Sequence, residues 1–287
     1  ISMKYIIYTL GCKVNQYETQ AIEALLVSRG HKPCVEGEIA DAVIVNTCAV
    51  TAEAGRKSRQ AIHRLREENP GAVAAVLGCY SQLSPDAVQK LGADIVYGTA
   101  DRMKLVDAVE KAVSTGEGEK ALDKPFERRV FEELPAGAVS GHTRAILKIQ
   151  DGCVNFCSYC IIPDARGPVR SKPQDAALEE IAGLVRGGAR EVVLTGIEVA
   201  SYGRDLGDTS LEELLCAADA LPEVRRHFAH SGSRHPRHMV LLGAVALLHN
   251  GLARRYRRSA PLLPDLDACH RIRYNHFLGF ENDLLRT

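Results

Sequence analysis

The sequence predicts an α/β protein, with an N-terminal parallel-sheet α/β domain over residues 1–115 followed by an incomplete β/α partial barrel over 141–225. Three observations predict it. The strand-like runs are continuously apolar rather than alternating, as in a sheet covered on both faces. The segments between them carry apolar residues at i, i+3 and i+4, the spacing of a helical face. The two kinds of segment alternate along the chain, which favours parallel pairing through helical crossovers.

The elements follow in order. Residues 5–10 are the first apolar run, and 16–29 a helix with Ile22, Leu25 and Leu26 on one face. Residues 41–47 form the second strand, and Ser58, Ala61, Ile62 and Leu65 mark the helix after it. Residues 72–78 are the third strand; Ser84 then caps a helix that Pro85 opens and Gly92 stops. Residues 93–98 are a fourth strand, followed by a helix from about Arg102 whose Leu105, Ala108, Val109 and Ala112 face the sheet and which ends near Gly116. Residues 116–140 are charged and punctuated by glycine and proline, as in a linker or crossover strand. The second unit opens with "RAILKIQ" as a strand and "CVNFCSYC" as a cysteine loop. A helix bearing Leu178, Ile181, Ala182 and Val185 closes at Gly187-Gly188. "EVVLTG" and a helix capped by Ser210 complete two β-α repeats.

Composition narrows the class. A quarter of the residues are charged and 46% hydrophobic, the balance of a globular domain. Formal net charge is zero, so no global basic field points to nucleic acid. The first residues lack a signal-peptide layout, and the longest apolar run, 239–248, is far shorter than the ~20 residues of a membrane span. These features predict a cytoplasmic protein with no membrane partner.

Nine cysteines are many for such a chain, and metal ligation or catalysis explains them better than disulfides do. Cys34, Cys216 and Cys269 have unremarkable neighbours and read as ordinary structural thiols. The other six form two trios. Cys12, Cys48 and Cys79 each follow a strand, in "TLGC", "VNTC" and "VLGC". In a parallel α/β sheet the carboxyl ends of the strands share one edge, so these three can converge. Helix N-termini there favour thiolate. Three thiolates suit an iron–sulfur cluster with one open iron or a zinc with an open fourth position. Cys153, Cys157 and Cys160 are tighter, spaced C-x3-C-x2-C after a strand. Three soft ligands within eight residues can wrap one cluster, and on a four-iron cube they leave one iron for a small chelating molecule.

C-x3-C-x2-C after the first strand of a β/α barrel, with Tyr159 before the third cysteine, resembles the radical S-adenosylmethionine enzymes. Together with "TLGCKVNQYET", "VNTCAVTAEA", "KIQDGCVNFCSYCIIPDARGPVRS" and "LTGIEVASYG", the chain from residue 3 to about 225 is similar to the tRNA methylthiotransferases, and most to those acting on threonylcarbamoyladenosine at position 37. The resemblance implies a radical SAM core and two 4Fe–4S clusters. The radical-generating cluster would sit on Cys153, Cys157 and Cys160, and the auxiliary one on Cys12, Cys48 and Cys79. S-adenosyl-L-methionine would be the second cofactor, the tRNA anticodon loop the substrate, and a flavodoxin or ferredoxin the electron donor to a monomeric enzyme. Tyr159 would lie near the adenine or the cluster edge, or simply pack. Gly196 would let the backbone approach the methionine part, or serve as a turn glycine. Glu198 would bond the polar end of the cofactor. Asn15, Gln16 and Asn46 flank auxiliary ligands and would either support them or cap helices. Arg166 and Arg170 would meet phosphate or a cofactor carboxylate, or lie on the surface.

Beyond residue 225 the texture changes. Residues 225–287 hold eleven arginines against four acids and most of the histidines, with no lysine after Lys172 and no sustained β-α alternation. The family's later barrel repeats and its RNA-binding domain are not recognisable there, so 226–287 reads as a truncated or out-of-frame end rather than an RNA-binding arm. The rival expectation is therefore an inactive remnant that acts at most as a metal-binding or interaction module.

Overall fold

The computed structural model describes residues 2–35, 37–134, 144–222, 224 and 240–241. Ile1–Ala244 form one compact unit. Its first sheet contains β1 (Lys4–Thr9), β2 (Lys32–Pro33), β3 (Ala42–Thr47), β4 (Val73–Gly78), β5 (Ile95–Tyr97) and β6 (Glu119–Ala121), all parallel, in the order β2-β1-β3-β4-β5-β6. The order turns back between β1 and β3, the kind of point where open α/β sheets bind ligands.

Continuous apolar strands are required because both faces are covered. Ala42, Ile44, Ala75 and Leu77 pack with Ile22 and Leu26 of α1 (Lys13–Ser28) and with Leu105, Val106, Val109 and Ala112 of α5 (Arg102–Thr115). Val43, Val45 and Val76 point the other way. They meet Ala61, Ile62 and Leu65 of α2 (Ala52–Glu68) and Val88 of α4 (Pro85–Lys90). Ser58 joins this stripe as a buried hydroxyl that accepts from Cys48 N and donates to the backbone. A short α3 (Cys79–Leu83), not anticipated, begins directly at the third cysteine. The charged stretch after residue 115 adds β6 to the sheet, so part of the expected linker is the sixth strand.

The second sheet is parallel, β11-β10-β7, from β7 (Arg144–Lys148), β10 (Glu191–Thr195) and β11 (Val240–Leu241). The expected single strand "RAILKIQ" splits at Ile149. Its end becomes β8 (Gln150–Asp151), which pairs antiparallel with β9 (Arg170–Ser171). Helices α7 (Gln174–Arg186) and α8 (Leu211–Asp219) follow β9 and β10; Ser210 caps α8 by accepting from Glu213 N. The buried stripe of α7 is Ala177, Ile181, Ala182 and Leu184, rotated slightly from the expected one. No closed barrel forms among the described residues.

Two expectations fail here. A further strand was not expected past residue 225, yet the apolar run at 239–248 supplies β11 beside β10. Cys216 was expected as a free thiol and is disulfide-bonded. Cys269 and the remainder of 226–287 lie outside the described residues, as do 135–143 at the end of the linker. Among the described residues no helix is long and apolar enough to cross a membrane.

Candidate active site

The N-terminal trio sits at the carboxyl ends of β1, β3 and β4. Cys12 caps α1 with extended backbone, Cys48 directly follows β3, and Cys79 opens α3. The glycines before Cys12 and Cys79 hold φ of 103° and 104°. A Cβ at Gly11 would stand 2.9 Å from Cys48 Cβ and 3.0 Å from its Sγ, so the first two cysteine corners touch. A Cβ at Gly78 would meet the Thr47 carbonyl at 2.4 Å. The strand ends therefore approach so closely that only glycine fits. Cys12 is exposed while Cys48 and Cys79 are buried. Burial pushes the Cys79 thiol up, the nearby Cys12 adds to this, and Arg166 opposes it.

The second trio lies in the loop after β8. Cys153 N donates to Gly167 O at 2.9 Å, and Cys160 N to Cys157 O at 2.9 Å. The Cys153 thiol is raised chiefly by burial and further by the charges of Glu198, Cys160 and Cys157, while a backbone hydrogen bond at Asn155 opposes this. The loop carries exposed apolar side chains. Tyr159 is 89% exposed and therefore not a packing aromatic, and Phe156, at φ 44°, stacks on Phe126. Gly196 is needed for Gln150: a Cβ there would lie 2.8 Å from Gln150 Oε1, which also accepts from Glu198 N. Glu198 is half-buried, and desolvation raises its carboxyl despite Arg204.

Between the trios lies a buried ionic junction. Glu18 on α1 accepts from Arg102 Nη2 at 2.6 Å, Lys148 Nζ at 2.9 Å and Arg166 Nη1 at 2.8 Å. Asp151 pairs with Lys148 at 2.7 Å, Arg166 at 3.1 Å and Arg170 at 3.5 Å. Arg102 also pairs with Glu132. Burial pushes both Glu18 and Asp151 up, but the surrounding cations win and hold them below the ordinary carboxylate range.

Arg166 and Arg170 are thus buried, which overturns their reading as surface groups, and their partners are protein carboxylates and carbonyls. Asn15 does not cap its helix. Its Nδ2 donates to Leu10 O and Thr47 O, and its Oδ1 accepts from Arg166. Asn46 Nδ2 donates to Asn15 O, while Gln16 is exposed. Glu18, Asp151, Arg102 and Lys148 were missed from sequence. One signal was present: a lysine inside the apolar run "AILKI" requires a buried carboxylate partner.

All six trio cysteines are free thiols. Among the described residues, no three His, Cys, Asp or Glu side chains are arranged to hold a single metal ion. Zinc gathers its ligands on one ion, whereas an iron–sulfur cube attaches each thiolate to a different iron. The soft donor set and the convergent corners fit iron–sulfur cubes.

Residues 4–98 match UPF0004, described as an uncharacterized protein family, and residues 147–247 match the Radical SAM superfamily. The structure resembles the radical S-adenosylmethionine methyltransferase TsrM from Kitasatospora setae, solved with cobalamin and a 4Fe–4S cluster bound. The TM-score is 0.51 at 15% identity, covering 76% of this chain and 51% of that one, a likeness of fold. With its C-x3-C-x2-C loop after the first strand of the second sheet, the chain is a radical S-adenosylmethionine protein. Two curated relatives define it further, both threonylcarbamoyladenosine tRNA methylthiotransferases MtaB. The one from Bacillus subtilis is 42% identical over 217 residues, which is 75% of this chain and 48% of that protein. The one from Thermotoga maritima is 38% identical over 217 residues, 75% of this chain and 49% of that protein. The chain belongs to the radical S-adenosylmethionine tRNA methylthiotransferase family, and it spans about half the length of these relatives.

Proposed function

We propose that the chain serves methylthiolation at C2 of N6-threonylcarbamoyladenosine at position 37 of tRNA. The observation that carries this reading is the pair of free-cysteine trios at strand ends in one compact unit, linked by a buried ionic junction. Cys153, Cys157 and Cys160 would hold the cluster that binds S-adenosylmethionine, and Cys12, Cys48 and Cys79 the auxiliary one. When bound, these groups supply one-electron cleavage of the sulfonium and the sulfur to be inserted. The residues of the chain hold and orient them. Gln150 fixes the Gly152 and Glu198 backbones beside Cys153 through its Nε2 and Oε1. Glu198, held there through its backbone after β10, would meet the polar end of the cofactor. Tyr159, exposed on the loop, would cover the adenine. A flavodoxin or ferredoxin would deliver the electron.

Mass spectrometry of tRNA nucleosides tests this. Deleting the gene should remove 2-methylthio-N6-threonylcarbamoyladenosine and leave its unmodified parent, and re-expressing the chain should restore it. Unchanged levels on deletion, or loss of a methylthiolated isopentenyladenosine instead, would overturn the assignment. The second reading is a metal-binding module without turnover. It is favoured by a second sheet of only three strands among the described residues. Iron uptake without restoration of the nucleoside would select it.

A further inference from the structure

The junction between the trios is not symmetric in charge. Four cations, Arg102, Lys148, Arg166 and Arg170, face three carboxylates, Glu18, Asp151 and Glu132, leaving one surplus positive charge. In a buried site an uncompensated charge is costly, so an anion is required nearby. Arg166 marks where. It is fully buried on α6 (Ile162–Arg166), which packs against α3 and so against the Cys79 end. One fork nitrogen, Nη2, donates to Asn15 Oδ1 at 2.8 Å, and the Cys12 Sγ lies 3.8 Å from that same oxygen. The other, Nη1, donates to Asp151, whose Oδ1 also accepts from Gly152 N at 2.8 Å, one residue before Cys153.

We propose that Arg166 is a positioning residue for the N-terminal metal centre: one guanidinium holds Asn15 beside Cys12 and Asp151 beside Cys153, and brings the surplus charge of the junction to the side of the N-terminal trio where α6 packs on α3. This rests on the reading of both trios as cluster ligands. A planar fork with five donors suits three acceptors in different directions, which an ammonium cannot match. A cation near a cluster favours the reduced, more negative state, because nearby charge and hydrogen bonds set its potential.

The test uses the full chain with Cys153, Cys157 and Cys160 replaced by alanine, reconstituted anaerobically, so that only the N-terminal centre remains. Its reduction potential is followed by EPR. Arg166→Gln should move the potential to more negative values, and Arg166→Lys, which keeps the charge, should restore most of it. Because Arg166→Gln alone takes a directly hydrogen-bonded cation from Glu18 and Asp151, the double variant Glu18→Gln/Arg166→Gln removes one charge of each sign. It should fold and still show the negative shift. A parental potential in that double variant, with iron bound, would overturn the proposal and leave Arg166 a mere partner of Glu18. If the parent with Arg166 intact takes up no iron, the cluster reading of Cys12, Cys48 and Cys79 fails first, and the proposal falls with it.

Discussion

Glu18→Ala is expected to destabilise the protein by about 3–5 kcal/mol, the cost of leaving buried cations without their partner. Three cations converge on this one carboxylate, and none can reach water: Arg102, Lys148 and Arg166 are all buried with it. Against a total stability of roughly 5–15 kcal/mol the loss is severe, and chemical denaturation should show the midpoint falling steeply. The same geometry fixes the acid response. Glu18 and Asp151 are held below the ordinary carboxylate range in the folded state. Their contribution is therefore fully present above the unfolded value near about pH 4, and is lost as pH falls through the folded values. Glu18→Gln should flatten the acid limb of the stability curve. A Glu18→Ala midpoint equal to that of the parent would mean the junction does not bear on the fold.

Gly152→Ala is the second large effect. Gly152 holds φ at 74°, and an added Cβ would stand 1.9 Å from Pro168 O and 2.6 Å from Gly167 O. Both contacts are with backbone, which has nowhere to yield. The left-handed conformation alone costs a side chain about 1–3 kcal/mol. Relief requires the 152–153 and 167–168 segments to part, which breaks the Cys153 N to Gly167 O bond and displaces the first ligand of the second trio. The variant should lose most iron from that trio while the N-terminal centre stays filled. Full retention at both would show that the segment adjusts without moving Cys153.

The strand–cysteine–helix joints were legible because the information is local. "AVIVNTC" and "AVAAVLGC" declare a buried strand, its end and a thiol in a few residues, and Cys48 and Cys79 stand where those runs stop. The helical stripes at Ser58–Leu65 and Leu105–Ala112 were legible for the same reason. What was not legible is long-range. Glu18 meets Arg166 across 148 residues and Lys148 across 130, and no window of sequence contains both partners. Arg166 reads as meeting phosphate or a cofactor carboxylate, or as a surface group, because its buried carboxylate partners lie far off in sequence. β6 hid in a charged stretch because an edge strand tolerates charge and needs little apolar pattern. β8 separated from β7 because Gln150 and Asp151 find partners in Arg170–Ser171 rather than in the parallel sheet.

Iron and sulfide analysis with EPR on trio variants tests the central claim, that each set of three cysteines holds its own cube, most directly. The anaerobically reconstituted chain should bind about eight irons. Replacing Cys12, Cys48 and Cys79 by alanine, or Cys153, Cys157 and Cys160, should in either case leave about four and one of two distinct EPR signals. Iron content unaffected by replacing either trio, or abolished by replacing just one, would contradict it.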